Sequence, residues 1–556
     1  MDKVWLKHYP PGVPAEIDTH QYSSLVALLD EAFLSYASRP AMACMGTTLS
    51  FSQLDRYSRD VAAWLQAQGL QRGARVALMM PNVLQYPICI MALLRAGYIV
   101  VNVNPLCVAR ELEHQMIDSG AQAIVVLENF ATVLSEVVQR TQIQHIIVAS
   151  LGDMLGSIKG PCINFIARHI KKIVPPWHLA NSRPFRQVLA EGANMPLQAP
   201  TLTRDDIAFL QYTGGTTGVP KGAMLSHGNL IANVLQCEAW MRPKLHRDMS
   251  AKQQIVAIAA LPLYHIFGLT VNCLFGLRLG ALNILISNPR DIKALIKVLR
   301  SSPFHIFPAV NTLYNALLNH PDCKKIDFST LKIPIAGGMA VQEAVAKKWF
   351  AVTACPIVEG YGLSETSPIA TCNPGTDNVF SGTVGLPMPS TEIAIRDENN
   401  QDVAIGEMGE ICIRGPQVML GYWHRPDETA KVMSADGYFK SGDIGVMDAR
   451  GYTKLVDRKK DIIIVSGFNV YPNEIEDVVA SHPDVLEVAA VGQADAHSGE
   501  AVKIFVVPKN PKLDKETLKA YCQANLAGYK CPKQIEFCAT LPKSTVGKIL
   551  RRSLRT

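Results

Sequence analysis

The stretch YTGGTTGVPKGAML, from Tyr212 to Leu225, concentrates glycine and threonine around one lysine. Glycines let backbone N–H groups approach an anion without a clash from a Cβ atom. Thr213, Thr216 and Thr217 add hydroxyl donors, and Lys221 adds a positive charge. Each charge-assisted hydrogen bond contributes about 1.5–3 kcal/mol, so a few such contacts are enough to bind phosphate. The composition favours a phosphate-binding loop over a flexible surface loop.

The loop is not a Walker A loop, which needs a glycine directly before the lysine and Ser or Thr after it. Here Pro220 precedes Lys221, and Gly222 follows it. The apolar run Ile207–Gln211 predicts a strand that enters the loop, and HGNLIANVLQC predicts a helix after it. We therefore expect the loop where a buried strand ends.

Four more polar motifs follow along the chain. They are EGYGLSETSP (359–368), GYFKSGD (437–443), DRKKDIIIVSGFNVYPNEIE (457–476) and PKSTVGKILRR (542–552). With the loop, and in this order, they resemble the ANL superfamily of adenylate-forming enzymes. The segment 436–460 is similar to the long-chain fatty-acid signature of this superfamily, and the opening VWLKHYPPGVPAEID together with the loop YTGGTTGVPKGAML looks most similar to bacterial long-chain acyl-CoA synthetases. Two positions depart from the usual pattern: Tyr438 and Ser441 stand where many members carry Trp and Thr, but they keep the aromatic ring and the hydroxyl.

The resemblance implies a reaction in two steps. A carboxylate attacks the α-phosphorus of ATP, giving an acyl-adenylate and pyrophosphate, and the thiol of coenzyme A then displaces AMP. Mg²⁺ is the implied cofactor, with ATP and coenzyme A as co-substrates. Because a carboxylate is already nucleophilic, the site must chiefly neutralise charge and hold an in-line geometry.

The resemblance also implies which residues bind the phosphates and the metal. Glu365 and Thr213 would hold Mg²⁺, a cation that prefers oxygen ligands. Thr366 would lie near the phosphates. Without the resemblance, Glu365 reads as a carboxylate at a helix N-terminus. The implied phosphate-binding residues of the loop are Tyr212, Thr213, Gly214, Gly215, Thr216, Thr217, Gly218, Lys221 and Gly222.

For the adenosine, Tyr361 would offer a flat face to the base, beside the backbone of Gly338 and Gly362. Asp443 could accept from both ribose hydroxyls because a carboxylate has two acceptor oxygens, and Arg458 would donate to the ribose. Without the resemblance, Tyr361 is a core residue and Asp443 a turn residue.

Lys548 looks like the family's mobile lysine, which bridges the carboxylate and the α-phosphate. The small domain that carries it must then close on the large one. Lys460 would be the hinge residue, and Gly467 would face the pantetheine path of coenzyme A. His265 resembles a gate beside the carboxylate, although a histidine among apolar residues is more often packed in a core. Some long-chain relatives carry a Trp gate at the position of Leu269.

The segment HIFGLTVNCLF supplies no acidic partner for an ammonium group, so an amino-acid substrate is disfavoured. An apolar pocket suits an acyl chain, since each buried CH₂ contributes about 0.8 kcal/mol. The first hypothesis is a long-chain fatty acid–CoA ligase. The alternatives are a ligase for medium-chain or aryl acids, an adenylate former that loads a carrier protein, and a catalytically silent adenylate- or lipid-binding protein.

The pattern of strands and helices that must position these residues predicts an α/β fold. Strand–helix alternation predicts layered α/β subdomains with largely parallel sheets. A smaller, β-barrel-like subdomain is expected at about 376–456, where alternating strands are joined by Asn-, Asp- and Gly-rich turns. The predicted division is a large N-terminal domain (1–456), a hinge (457–460) and a small, mobile α+β domain (461–556).

The net charge of +6 is too mild to indicate nucleic acid binding. The 13 cysteines form no CxxC pair, which indicates reduced, buried thiols. No signal peptide is apparent at the N-terminus. The uncharged run from Ile255 to Leu277 is long enough to span a bilayer, but Pro262 and Gly268 interrupt it, and we expect a buried strand and a core helix instead.

Residues 157–179 bear on localisation. They place Ile163, Ile166, Ile170 and Val174 on one helical stripe, with Lys159, Arg168, Lys171 and Lys172 as cations and Trp177 as an interfacial ring. This pattern fits a helix on an anionic lipid surface, and equally an amphipathic helix that covers the core. We expect a cytoplasmic protein on the inner face of the cell membrane. The sequence leaves monomer and homodimer open.

Overall fold

The computed structural model describes residues 3–213, 220–250, 253–375, 380–495, 497–545 and 547–555. Two of its long helices begin with a capping box: the Ser50 and Ser226 side chains accept from the third backbone N–H after them, and Gln53 and Asn229 return the bond. The α-helices are α1 (Leu25–Ser35), α2 (Phe51–Ala67), α3 (Gln85–Arg95), α4 (Ala109–Ser119), α5 (Ala131–Val137), α6 (Lys159–Phe165), α7 (Phe185–Gly192), α8 (His227–Asp248), α9 (Phe275–Arg278), α10 (Ile292–Ser301), α11 (Asn311–Asn319), α12 (Glu343–Thr353), α13 (Pro426–Val432), α14 (Pro472–Ala480) and α15 (Lys515–Asn525).

Many of the strands, such as β3, β5 and β10, coincide with apolar runs of the sequence. They are β1 (Pro40–Cys44), β2 (Thr47–Ser50), β3 (Arg75–Met79), β4 (Ile99–Asn102), β5 (Ala123–Leu127), β6 (His145–Ala149), β7 (Arg183–Pro184), β8 (Ile207–Thr213), β9 (Lys221–Ser226), β10 (Val256–Ala259), β11 (Leu282–Leu285), β12 (Ile306–Ala309), β13 (Ile333–Ala336), β14 (Val358–Gly362), β15 (Ile369–Cys372), β16 (Leu386–Pro387), β17 (Glu392–Arg396), β18 (Met408–Arg414), β19 (Gly421–Tyr422), β20 (Phe439–Met447), β21 (Thr453–Arg458), β22 (Ile463–Val465), β23 (Phe468–Val470), β24 (Val485–Asp495), β25 (Gly499–Pro508) and β26 (Gln534–Phe537).

Within the described residues, the strands form two large sheets and two smaller ones. One large sheet has the order β19-β9-β8-β4-β3-β5-β6-β7 and the other β16-β15-β14-β13-β12-β10-β11-β1-β2. Both are parallel through their centres and antiparallel at edges, as in the pairs β8–β9 and β14–β15. The fold class predicted from strand–helix alternation is confirmed.

The carboxyl ends of the parallel strands carry the predicted site. Strand β8 ends at Thr213, where the phosphate-binding loop begins, and β14 ends at Gly362, just before Glu365. Strand β13 leads into Gly338, and β10 leads into the segment with His265. Ligands of open α/β sheets bind outside such strand ends.

The antiparallel strands predicted after about residue 376 form the sheet β17-β18-β20-β21. The register of β20 and β21 sets Asp443 opposite Arg458. Downstream lies the sheet β23-β22-β25-β24, with β26 beside β25. It has its own apolar core, built from Ile463, Ile475, Val488, Ile504 and Leu518 among others.

The uncharged run from Ile255 to Leu277 folds as the buried strand β10 and a buried π-helix, Gly268–Leu274, as predicted. Across the described ranges, no helix is both long and apolar enough to cross a membrane. All 13 cysteines are free thiols, and most are buried, although Cys162 is exposed.

The stripe predicted within residues 157–179 is only partly exposed, so for most of its members the structure favours the alternative of a helix that covers the core. Helix α6 is followed by a π-helical turn, Ile166–Ile170, which changes the angular spacing of the side chains that follow. Ile163, Ile166 and Val174 are partly buried. The exposed apolar side chains are Ile158 (80%), Phe165 (58%), Ile170 (65%) and Ile173 (47%).

Candidate active site

The two arms of the phosphate-binding loop form an antiparallel hairpin. The register sets Tyr212 opposite Gly222 and Thr213 opposite Lys221. A Cβ atom at Gly222 would lie 3.2 Å from the Tyr212 ring, so glycine permits this packing. The Tyr212 hydroxyl donates to Oδ2 of Asp118 (2.6 Å), and the Thr213 hydroxyl lies 3.5 Å from the carbonyl oxygen of Lys221. Gly214, Gly215, Thr216, Thr217 and Gly218 lie outside the described residues.

Lys221 points away from its own strand toward helix α13. Its Nζ lies 2.6 Å from Oε2 of Glu428 and 4.7 Å from the centre of the Tyr422 ring. The Tyr422 hydroxyl in turn donates to Oε1 of Glu365 (2.8 Å). Sequence reasoning missed Tyr422 and Glu428. Both lie in the segment GYWHRPDET, between two of the motifs, and the only clue that the sequence offers there is the aromatic and acidic character of that segment.

Glu365 is a buried carboxylate in a short turn, Ser364–Thr366. Burial raises its pKa, and the Tyr422 hydroxyl and the charges of Arg458 and Lys221 act against that rise. Thr366 is fully buried, and its hydroxyl donates to the carbonyl of Pro368 and accepts from the N–H of Leu363. Thr366 therefore shapes the turn that presents Glu365.

Asp443 joins two other predicted site residues. Its Oδ2 accepts from the Tyr361 hydroxyl (2.8 Å), and its Oδ1 lies 3.2 Å from Nε of Arg458. Asp443 and Tyr361 are both buried, and burial, reinforced by Asp443, raises the pKa of Tyr361 well above its ordinary value. The arrangement holds a negative carboxylate beside an aromatic ring and a guanidinium.

The two predicted adenine-site glycines differ in role. Gly338 has φ +79°, and an added Cβ would meet nothing within 4 Å, so its backbone borders open space. At Gly362, an added Cβ would lie 1.7 Å from the carbonyl oxygen of Pro368. Gly362 is thus required by the packing of the turn before Glu365.

Lys548 reaches this cluster from the small domain. Burial lowers the pKa of its amine to about 7; the positive charge of Arg458 acts in the same direction, and Asp443 opposes it. His265 is also affected: burial lowers its pKa to about 4, with a contribution from Lys548. Its Nδ1 accepts from the N–H of Phe267 (3.3 Å), so the neutral ring carries its proton on Nε2. The structure brings Lys548, Asp443, Arg458 and His265 into one electrostatic neighbourhood.

The segment that carries Lys548 docks on helix α11. The Thr312 hydroxyl donates to the carbonyl of Gly547 (3.0 Å), and Arg290 donates to that of Ser544 (3.4 Å). Gly547 has φ +85°, and an added Cβ would lie 2.8 Å from Oγ1 of Thr312. Glycine at this position therefore allows the close approach that delivers Lys548.

The hinge predicted at 457–460 is held by Arg551. This guanidinium bonds to Glu476 (2.7 Å) and lies 3.1 Å from Oδ1 of Asp457. Burial and Arg458 lower the pKa of Lys460. Gly467 stands apart from the cluster's contacts, at the exposed turn between β22 and β23, with φ +85° and no atom within 4 Å of an added Cβ.

Comparison with known protein families identifies the family of the chain that carries this site. The family model described as "AMP-binding enzyme" matches residues 29–423, and that of the "AMP-binding enzyme C-terminal domain" matches residues 474–548. The chain belongs to the AMP-binding enzyme family. The second match ends at the lysine that reaches the cluster.

Members of this family resemble the chain over its whole length. It is 53% identical to a long-chain-fatty-acid–CoA ligase of Salmonella typhimurium and 52% identical to one of Escherichia coli O157:H7, in both cases over 100% of this chain and 98% of the relative. The crystal structure of ATP-bound MatB from Rhodopseudomonas palustris superposes with a TM-score of 0.81 at 28% identity, covering 95% of this chain and 98% of MatB.

Proposed function

We propose that the protein activates long-chain fatty acids to acyl-CoA esters at the expense of ATP, through an acyl-adenylate, releasing AMP and pyrophosphate. The observation that carries this proposal is the delivery of Lys548 to the cluster of Asp443, Arg458 and His265. Full-length relatives at 53% identity that are long-chain-fatty-acid–CoA ligases support the substrate class. The acid-free segment HIFGLTVNCLF supports an acyl chain rather than an amino acid.

In the first step a fatty-acid carboxylate oxygen bonds to the α-phosphorus of ATP, and the bond to pyrophosphate breaks. No proton needs to move, so the chain's task is to offset charge repulsion and align the reactants. Protonated Lys548 lies between the incoming carboxylate and the α-phosphate. His265, whose pKa is lowered to about 4, is neutral and adds no charge beside the carboxylate.

The nucleotide is held by residues of the large domain. Asp443 and Arg458 take the ribose hydroxyls, Tyr361 faces the adenine, and Lys221 with the hydroxyl of Thr213 takes the terminal phosphates. Asp443 has about four lone-pair sites on its two oxygens. Tyr361 and Arg458 leave acceptor capacity on both, enough for two ribose hydroxyls.

The donor set fits Mg²⁺ delivered with the nucleotide. Glu365 offers one buried carboxylate, and Thr213 offers a hydroxyl. Among the described residues, no group of three or more His, Cys, Asp and Glu side chains is arranged to hold a metal by itself. Mg²⁺ commonly takes one or two protein oxygens and completes its shell with phosphates and water. When bound, it would neutralise phosphate charge.

In the second step the sulfur of coenzyme A bonds to the acyl carbon, the bond to AMP breaks, and the thiol proton passes to solvent. We propose that the small domain, residues 461–556, turns about the hinge at 457–460 between the steps, with Lys460 at the pivot. The contacts that dock the Lys548 segment include polar ones that water can replace. The turn at Gly467, open and without a side chain, then faces the pantetheine.

We also propose that the protein binds peripherally to anionic membranes, such as the inner face of the cell membrane. Ile158, Phe165 and Ile170 are exposed apolar side chains of one short segment, and Lys171 and Lys172 follow them in sequence, exposed and positively charged. Basic residues near an anionic surface contribute about 1 kcal/mol each. A substrate that dissolves in lipid makes such a location favourable.

The decisive experiment measures AMP release with ATP, Mg²⁺, coenzyme A and fatty acids from hexanoate to oleate. We expect the rate to peak at long chains and to be largely lost in Lys548→Ala. Lys543→Ala is the matched control: it removes a lysine from the same segment, one whose amine pairs with Glu487 (2.5 Å). A peak at short or aryl acids would reassign the pocket. No CoA ester with any acid would overturn the ligase function.

A further inference from the structure

The amine of Lys221 is held by a partner outside the phosphate-binding loop. That partner, Glu428, lies 207 positions later, on helix α13, with its Oε2 2.6 Å from the lysine Nζ. The Tyr422 ring covers another side of the same amine at 4.7 Å. A group expected to bind phosphate is therefore already paired with a carboxylate.

The pairing is built so that Glu428 can release the lysine. Its other oxygen, Oε1, accepts from Lys431 on the next turn of the helix (2.5 Å), so the carboxylate keeps a cation when Lys221 leaves. Both Lys221 and Glu428 are 28% exposed, so water can reach the pair. Hydrogen bonds from Lys221 and Lys431, with the charge of Lys221, lower the pKa of Glu428 to about 2, so the carboxylate is ionised at neutral pH.

The ion pair is not needed to join the two elements. Backbone contacts already fasten β9 to the segment before α13: the N–H of Trp423 donates to the carbonyl of Gly222 (2.8 Å), and that of Leu420 donates to Met224 (3.0 Å). Strands β9 and β19 also pair. The Lys221–Glu428 ion pair can therefore break on ligand binding without separating these two elements.

We propose that Glu428 is a positioning residue for ATP: its carboxylate holds Lys221 at the loop's exit in the nucleotide-free protein and yields it to the triphosphate. The inference rests on the proposed function, because it requires Lys221 to contact phosphate. The triphosphate carries more negative charge than one carboxylate, so it attracts the amine of Lys221 more strongly. To bind that amine, it must displace Glu428 from it. Lys431 then neutralises Glu428 alone, and pyrophosphate release lets the pair re-form.

The test compares Glu428→Gln with the intact protein. The dissociation constant of ATP with Mg²⁺, measured without fatty acid, and the KM for ATP should both fall about two- to fivefold, the range of an exposed ion pair. Inhibition by pyrophosphate should strengthen by the same factor. The KM for the fatty acid should not change. Lys431→Met should act in the opposite direction, because it leaves Lys221 as the main partner of Glu428.

The effect must pass through Lys221. In a Lys221→Met background, where ATP binds more weakly, Glu428→Gln should no longer tighten ATP binding. Weaker ATP binding by Glu428→Gln alone, or the same tightening without Lys221, would overturn the inference. Failure of the intact protein to bind ATP or to release AMP with any acid would instead overturn the proposed function, so the two failures are distinguishable.

Discussion

Replacing Asp443 by asparagine tests the ribose site most directly. The carboxylate accepts from Tyr361 through one oxygen and pairs with Arg458 through the other. Asparagine keeps the size and one acceptor oxygen but loses the charge and turns the second acceptor into a donor. The Tyr361 contact can survive, whereas one ribose hydroxyl loses its acceptor.

The expected loss follows from these two changes. A hydrogen bond to a charged group contributes about 1.5–3 kcal/mol and a neutral one about 0.5–1.5 kcal/mol. Losing one charged bond and weakening the other amounts to about 2–4 kcal/mol. At about 1.4 kcal/mol per factor of ten, the affinity for AMP should fall roughly 30- to 700-fold.

Calorimetric titration with AMP measures this loss without metal or turnover, and circular dichroism checks the fold. Asp448→Asn is the matched control, since Asp448 is a partly exposed acid just beyond strand β20 that bonds within its own turn; the affinity of this variant for AMP should not change. Titration with 2′-deoxy-AMP adds a second comparison: the missing hydroxyl should weaken binding to the intact protein far more than to Asp443→Asn. Less than about a threefold loss in Asp443→Asn, in a folded protein, would refute the ribose assignment.

Three further outcomes are expected. Tyr422→Phe removes the bond to Glu365, so half-saturation with Mg²⁺ should need a higher concentration, with little change in the KM for fatty acid; unchanged Mg²⁺ dependence would contradict the coupling. The adenylation rate should fall as pH rises above about 7, because the amine of Lys548 has a pKa of about 7 when the small domain is closed and only the protonated amine neutralises charge. The midpoint of this decline should lie between that value and the ordinary pKa of lysine, since the amine holds its proton more strongly when the domain is open. Lys548→Arg should lack that alkaline decline, and an identical decline would assign it to another group. Phe165→Asp should reduce co-sedimentation with anionic vesicles, whereas Leu34→Asp, at an exposed apolar position on α1, should not; equal loss in both would exclude a specific surface.

Local patterns determined much of the fold. The apolar runs around Val76, Val125 and Phe209 became the parallel strands β3, β5 and β8 because burial on both faces needs continuous apolar sequence. In the uncharged run after Ile255, the helix-breaking residues Pro262 and Gly268 indicate a strand and a core helix, and both form. Within 157–179 the 3.6-residue period holds only through α6, because a π-helical turn follows at Ile166–Ile170 and Val174 lies beyond the helix.

The sequence by itself determined the order of the motifs, the family they resemble and the loop at the end of β8, since all of these depend on neighbours along the chain. The tertiary structure decided which side chains meet. Tyr361 and Asp443 are 82 positions apart, Tyr422 and Glu365 are 57 apart, and Lys221 and Glu428 are 207 apart. Such contacts follow from how sheets and domains pack, and spacing within a motif carries no information about them. Likewise, the pKa of Lys548 is lowered because the tertiary structure buries its amine near the positive charge of Arg458.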